Sequence, residues 1–438
     1  MSAGPEPSPH AAALREAIAG RGATVAVAGL GYVGLPLLVA IAEAGFGVIG
    51  IDPDAERVAT LAAGGSYVSD VPAEAVARLA RARFTTDPGE VAAAQVVVVA
   101  VPTPLTDGSP DLTAVRTAMA DVARAMCPGT LVVLESTTYP GTTDEVVRPI
   151  LETSGLACGA EFFLAYSPER IDPGSAWSLR DTPKVVSGID EAAADLCEAF
   201  YGCFVTKTVR TPTTRDAEMA KLIENTFRHV NIALVNELAM VAPELGVDVW
   251  AALDAAASKP FGYLAFWPGP GVGGHCIAID PAYLSWKVGQ RLGFGVDFIE
   301  HAKEVNNRMP RVVAGRIGDA LNAVGKPVKG SRVLVLGVAY KPGVNDIRES
   351  PSIMVLERLA SQGAEVSYHD PFVPALRLAG RELRSVPLDA ATVAGQDCVA
   401  ILTAHPGVDH DRVVAEAALV FDARGVTRGL RAQNVVLL

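Results

Sequence analysis

The sequence predicts an α/β protein: two doubly wound domains, each a parallel sheet covered by helices, joined by a central domain of long helices. Three observations carry that prediction. Short β-rich runs at 24–30, 46–51, 96–101, 131–135, 162–166 and 184–187 alternate with helical stretches, the pattern of a parallel sheet wrapped on both faces. From Thr214 the alternation stops, and 216–245 and roughly 297–323 read as long helices. After the linker-like Gly325-Lys-Pro-Val-Lys-Gly330 it resumes, with strands at 332–336, 364–368, 396–402 and 418–421 and a helix near 351–362. The expected boundaries are a lead without structure over 1–21, a first domain over 22–213, a central domain over 214–324 and a last, smaller domain over 325–438.

In the first domain, the run 24–30 carries Gly29-x-Gly31-x-x-Gly34, with Tyr32 and Val33 inside the turn, and a helical pattern follows from Leu35 to Ala44. Such a loop turns tightly and aims helix N-terminal amides at a pyrophosphate. The run 46–51 ends in Asp52, where an acid accepts hydrogen bonds from an adenosine ribose diol and repels a 2′-phosphate. Pro53 follows, where a 2′-phosphate site often places an arginine. With 41 glycines in the chain, the motif alone is weak; strand, motif, helix, strand and acid in order make a Rossmann-like site, with NAD the expected cofactor.

Further along, Pro102 and Thr103, Ser136 and Thr137, and Glu169 and Arg170 follow predicted strands. Ligands of open α/β sheets sit at such ends, so the hydroxyls are placed to face a nicotinamide and Glu169 to activate water or buffer a charge. N-capping of a helix near Thr143 and a solvated loop carboxylate are the plainer alternatives.

In the central domain, Lys221 and Asn225 lie at i and i+4 on one helix face, able to hydrogen-bond a developing oxyanion or to be an ordinary surface pair. Residues 269–280 read Gly-Pro-Gly-Val-Gly-Gly-His-Cys-Ile-Ala-Ile-Asp. Glycines let a backbone wrap a polar ligand closely, and Cys276 beyond them is a candidate nucleophile four residues before Asp280. A buried cysteine after a glycine turn is the competing reading. His275 is adjacent to Cys276 and so badly placed for a dyad; a structural role is expected. In the last domain, Lys341 follows a strand end and can reach a phosphate or simply be solvated.

Composition sets the outer limits. The net charge of −12 argues against nucleic-acid binding, and no apolar run approaches the ~20 residues needed to span a bilayer. Residues 1–10 lack the basic start and apolar core of a signal peptide. The six cysteines are scattered without metal-type spacing, so no metal and a cytoplasmic location are expected.

Over nearly its full length the chain resembles the UDP-glucose/GDP-mannose dehydrogenase family of nucleotide-sugar 6-dehydrogenases. The stretches that carry the resemblance are Gly29–Gly34, Val101–Pro104, Glu135–Thr142, Ser167–Glu169, Glu218–Asn225, Gly269–Pro281 and Tyr340–Ser350. Pro260-Phe261-Gly262 and the loop from Pro268 to Cys276 are most similar to the branch acting on UDP-N-acetylhexosamines, while UDP-glucose and dTDP-glucose enzymes share the loop. The resemblance implies a four-electron oxidation of CH₂OH to carboxylate with two NAD⁺ in turn. In it Cys276 forms the thiohemiacetal and thioester, Lys221 and Asn225 stabilise the oxyanion, Asp280 and a water handle protons, Thr137 orients the water and Glu169 assists hydrolysis. It further implies that Arg348 contacts the cofactor, that Arg170, Phe261, Gly271, Gly273, Gly274 and Lys341 hold the nucleotide sugar, and that the chain forms a homodimer or higher homo-oligomer. Three positions depart from the family. Pro173 stands where glucose-type members carry a second Glu, Ser258-Lys259-Pro260 offers no sugar-touching Arg, and Ala278 replaces a common Pro. The rival expectations are a two-electron dehydrogenase of the 6-phosphogluconate or 3-hydroxyacid type and a non-catalytic NAD-binding protein.

Overall fold

The computed structural model describes residues 8–68, 70–79, 82–171, 177–274, 276–430 and 432–438, with Cys276 described in its backbone alone. The chain forms two compact units that divide after Glu224.

The first unit is built on an eight-stranded sheet of β1 (Thr24–Ala28), β2 (Gly47–Ile51), β3 (Ala82–Thr85), β4 (Val96–Val99), β5 (Leu131–Leu134), β6 (Phe163–Tyr166), β7 (Lys184–Gly188) and β8 (Thr208–Arg210). Their order is β8-β7-β6-β5-β4-β1-β2-β3. The strand order switches between β1 and β4, which run parallel to each other, and this opens a crevice at their C-terminal ends. The central strands are covered on both faces, so they read as unbroken apolar runs: all four valines of β4 have no exposed surface. The sheet is not wholly parallel as expected, because β6 and β7 pair antiparallel. A parallel return requires a crossover, usually a helix, and the described part of the β6–β7 connection has none.

The segment expected to be a lead without structure contains α1 (Pro9–Ala19). Proline suits a first helical turn, and Ala11, Leu14 and Ile18 are buried in the first unit's core. Burying Leu14 and Ile18 contributes about 1.5–3 kcal/mol each. The helix is short and only these three of its side chains are buried, so its apolar spacing is masked by the proline-rich residues before it.

Of the remaining helices, α2 (Gly34–Glu43) follows β1 and α3 (Ala55–Ala62) follows β2. The long helix α4 (Thr214–Val241) contains the division between the units. It is followed by α5 (Cys276–Leu292) and α6 (Asp297–Ala323). The second unit's sheet comprises β9 (Arg332–Leu336), β10 (Glu365–His369), β11 (Cys398–Ile401), β12 (Val420–Asp422) and β13 (Val435–Leu437) in the order β10-β9-β11-β12-β13. All its neighbours are parallel. Helix α7 (Pro351–Ser361) belongs to this unit.

Candidate active site

In the first unit, backbone contacts shape the crevice between β1 and β4. A Cβ on Gly34 would lie 1.8 Å from the Gly29 carbonyl, so no side chain fits there. A Cβ on Gly31 would meet nothing within 4 Å. Tight beneath and open above is the shape a pyrophosphate requires, and these residues fit a dinucleotide. Asp52, 3% exposed, accepts the Leu30 N–H at 2.8 Å and the Asp54 N–H at 3.0 Å. Arg57 stands 3.5 Å from Asp52 and 3.4 Å from Asp54, and Tyr67 donates to the Leu30 carbonyl at 2.6 Å; sequence reading missed both. With Arg57 held by two carboxylates, the crevice keeps its acidic character. Ser136 donates to the Val101 carbonyl at 2.8 Å, clasping the loops after β4 and β5. Thr103 is buried, Tyr32, Val33 and Thr137 are half-buried, and Pro102 is exposed.

A buried charge cluster holds Glu169. Lys184 lies between Glu135 and Glu169, touching the first and 3.3 Å from the second. The Glu169 carboxylate also accepts the N–H groups of Arg170 at 2.7 Å and Ile171 at 2.5 Å. Burial pushes its pKa up, but Lys184, these N–H groups and Lys221 outweigh that and hold it below the ordinary value. Burial pushes Glu135 up to about 7 in spite of Lys184. Lys221 donates to the Glu169 carbonyl at 2.5 Å. One turn earlier on α4, Glu218 accepts the Gly141 N–H at 2.5 Å, the Thr143 N–H at 2.8 Å and the Thr143 hydroxyl at 2.7 Å. Arg170 pairs with Glu224 at 2.6 Å rather than standing open as a lone cation. Lys184 carries no functional signal in the sequence, since a charged residue inside a strand normally reads as surface, and Glu135 enters only as the start of the family-like stretch Glu135–Thr142.

In the second unit, Asn225 donates to Asp280 at 2.5 Å, and both side chains are buried. Asp280 stands in the first turns of α5, which begins at Cys276. The Cys276 side chain lies outside the described residues, as do His275 and Pro173. The glycine loop is fixed at both ends: Gly269 N–H donates to Asn236 at 2.9 Å and Gly274 N–H to the Arg348 carbonyl at 2.9 Å. Gly274 has φ 79°, and a Cβ there would lie 2.7 Å from the Tyr340 ring. Gly273 is buried and Gly271 half-buried.

Lys341 Nζ lies 5.9 Å from the Tyr340 ring centre. The Arg348 guanidinium pairs with Asp346 at 2.6 Å, and Phe261 is 71% exposed beneath Lys259. Arg424, which sequence reading missed, donates through Nε to the Leu402 carbonyl at 2.6 Å. Its guanidinium would be 2.7 Å from a Cβ on Gly269. It is packed densely enough that lost solvation pulls its pKa down to about 10 despite Asp422. No group of three or more potential metal ligands occurs among the described residues.

Three family profiles match the chain in order. They are described as the UDP-glucose/GDP-mannose dehydrogenase family NAD binding domain over residues 23–205, central domain over 215–308 and UDP binding domain over 334–429. A UDP-N-acetyl-D-glucosamine 6-dehydrogenase of Pseudomonas aeruginosa is 36% identical over 385 residues, covering 87% of this chain and 90% of its own. The solved UDP-D-ManNAc dehydrogenase of Pyrococcus horikoshii aligns with TM-score 0.85 and 32% identity over 94% of this chain and 98% of its own. A UDP-glucose dehydrogenase from Pyrobaculum islandicum aligns with TM-score 0.81 and 31% identity over 94% and 96%.

Proposed function

The chain belongs to the UDP-glucose/GDP-mannose dehydrogenase family and is an NAD-dependent nucleotide-sugar dehydrogenase, and from that premise we propose that it oxidises the C6 hydroxymethyl of a UDP-hexose to the carboxylate through a thioester on Cys276. The relatives' substrates favour a UDP-N-acetylhexosamine, with UDP-glucose next. The observation that carries the proposal is the buried pair of Asn225, on α4, with Asp280, in the first turns of the helix that Cys276 begins.

NAD⁺, when bound, supplies the acceptor for one hydride in each of two steps. In the first, the C6 alcohol loses a hydride and a proton to become an aldehyde. Because an aldehyde carbon offers no tetrahedral donor, the Cys276 thiol adds to it and forms a hemithioacetal, which gives up its C–H as the second hydride and its O–H proton to leave a thioester. Water attacks the thioester carbonyl, and the thiol is restored as the uronate leaves. A cysteine at a helix N-terminus has its thiolate stabilised, which suits that role. Lys221 uses one of its three protons on the Glu169 carbonyl and Asn225 one of its two on Asp280. The remaining N–H groups stabilise the oxyanion. Asp280 exchanges protons with water, Thr137 orients it, and the ionised Glu169 contributes negative charge and a carbonyl that aims Lys221. Arg424 and Lys341 hold the diphosphate.

Supporting a homo-oligomer, α4 presents Ile223, Phe227, Leu234, Leu238 and Val241, each at least 40% exposed, at helical spacing; a second copy covers them. Phe227→Asp is expected to reduce the solution mass to that of one chain. The described cysteines are free thiols, in keeping with a cytoplasmic enzyme.

The deciding experiment is NADH release from UDP-GlcNAc, UDP-ManNAc, UDP-glucose, dTDP-glucose and GDP-mannose. Two NADH per UDP-sugar and no turnover by Cys276→Ala are expected. One NADH per sugar, or near-normal turnover by that variant, overturns the covalent mechanism in favour of a two-electron dehydrogenase.

A further inference from the structure

Helix α5 has a gap in its own hydrogen bonding. Pro281 carries no N–H, so the carbonyl four residues before it, Ile277, has no donor from the usual helical position. That carbonyl belongs to the residue after Cys276, where any loss of order displaces the thiol.

Opposite it stands His229, on the same face of α4 as Asn225, one turn further along. The side chain is 4% exposed, and neither ring nitrogen makes a hydrogen bond of full geometry. The backbone acceptor within reach of the ring is the Ile277 carbonyl; burial pulls the pKa down to about 4, Ile277 opposes that fall, and Lys303 adds to it. The imidazole is therefore neutral at pH 7 and has one N–H to give. A buried ring N–H without a partner costs free energy, and pairing with a carbonyl that lacks its usual helical donor removes that penalty.

The backbone of His229 is fixed independently. Its carbonyl accepts from Asn306 at 3.2 Å, Asn306 accepts from Asn236 at 3.0 Å, and Asn236 accepts the Gly269 N–H at 2.9 Å. Asn225, His229 and Asn236 therefore meet Asp280, Ile277 and Gly269 in turn. Two of these contacts are hydrogen bonds, one beyond Cys276 and one at the loop's start, and the His229 ring faces the backbone of Ile277 between them.

We propose that His229 is a positioning residue: its ring N–H takes the carbonyl left open by Pro281 and fixes the first turn of α5, which carries Cys276 and Asp280. This rests on Cys276 being the nucleophile. Its consequence is catalytic because small misplacements of reacting groups cost up to about a hundredfold in rate.

The test is a double-mutant cycle. Pro281→Ala restores a helical N–H to Ile277 and so supplies the donor that His229→Ala removes. We expect His229→Ala to lower kcat for UDP-sugar oxidation at least tenfold with the KM for NAD unchanged, and to slow alkylation of Cys276 by iodoacetamide, followed by mass mapping of its peptide. His229→Gln, which keeps an N–H donor, should recover much of the loss, as should His229→Ala combined with Pro281→Ala relative to Pro281→Ala alone. A kcat within twofold of wild type in His229→Ala, or an equal loss in both proline backgrounds, overturns the proposal. If His229→Ala does not fold, His229→Leu, which fills the space without an N–H, takes its place in the two backgrounds: a loss that Pro281→Ala leaves untouched overturns the proposal. Near-normal turnover by Cys276→Ala removes the covalent reading itself, whereas an inactive Cys276→Ala beside normal His229 variants removes only the role of His229.

Discussion

In both units the first strand of the sheet ends in a glycine at positive φ, 93° for Gly29 and 83° for Gly337. A Cβ on either would strike the neighbouring chain across the crevice, Ala100 at 2.5 Å and Thr403 at 2.3 Å. In both, an acid at the end of the second strand accepts the next N–H: Asp52 from Leu30 at 2.8 Å, Asp370 from Val338 at 2.9 Å and also from Ala339 at 3.0 Å. From there they diverge. After Gly29 come Gly31, with open space above it, and Gly34, pressed on Gly29. After Gly337 come Val, Ala, Tyr and Lys, and the His405 ring closes on Asp370 at 3.0 Å with both side chains at most 1% exposed. The same strand–turn–acid device is left open toward a ligand in one unit and sealed by the protein's own imidazole in the other. Shared topology therefore does not transfer dinucleotide binding; the open glycine turn does.

The contrast can be broken most forcefully at Asp370. Asp370→Ala strands the N–H groups of Val338, Ala339, Phe372 and Val373 as well as His405, so it should cost about 4 kcal/mol of stability by urea unfolding while leaving NAD affinity by calorimetry unchanged. Weakened NAD binding in an otherwise stable variant would make Asp370 a ligand and erase the distinction. Next comes Gly34→Ala, whose methyl has no room against the Gly29 carbonyl. NAD binding should weaken about a hundredfold, or ~2.7 kcal/mol, with the unfolding of the second unit unaffected. Asp52→Asn should weaken NAD about tenfold, ~1.4 kcal/mol, and improve NADP relative to NAD, since the charge opposing a 2′-phosphate is gone; an unchanged ratio would leave Asp52 with only the structural role of its counterpart.

The mildest test uses pH. Burial raises the Asp370 pKa, but His405 and the N–H groups of Ala339, Val338 and Phe372 outweigh it and hold it below the ordinary value. A depressed folded pKa gives stability that is present above the unfolded value, about 3.9, and lost as pH falls through the folded one. Circular-dichroism unfolding below pH 4 should therefore show wild type losing stability more steeply than Asp370→Asn. Parallel curves would remove the Asp370 ion from the account.

Much of this architecture is legible in the chain. The fingerprint Gly29–Gly34 and the central strands announce themselves because strands buried on both faces must be apolar throughout. Helix α6 is read at 297–323 because a long helix on a core repeats its apolar positions many times. Strands β3 and β8 were not foreseen: Ala-Arg-Phe-Thr and Thr-Val-Arg at the sheet's two edges are short and half wetted, and carry no period. Helix α5 was hidden by Pro281 and the glycines before it. Lys221, Asn225 and Asp280 stand out in the sequence as candidates, but the contacts around them are not predictable from spacing. Glu135 and Lys184 are 49 positions apart, and Asn236 and Asn306 are 70. Polar contacts of that range leave no local periodicity, so only folding discloses them.

Helix α4 turns the usual arrangement inside out, burying Glu218, Lys221, Asn225, His229 and Asn236 while showing solvent a row of large apolar side chains. Its length is consequently less negotiable than its composition. One inserted residue between Lys221 and His229 would rotate everything downstream by about 100° and advance it about 1.5 Å, swinging phenylalanine and leucine toward the loops that Asn225 and His229 now meet. Among descendants of this chain, insertions and deletions should be absent from that stretch even where individual outward-facing side chains drift.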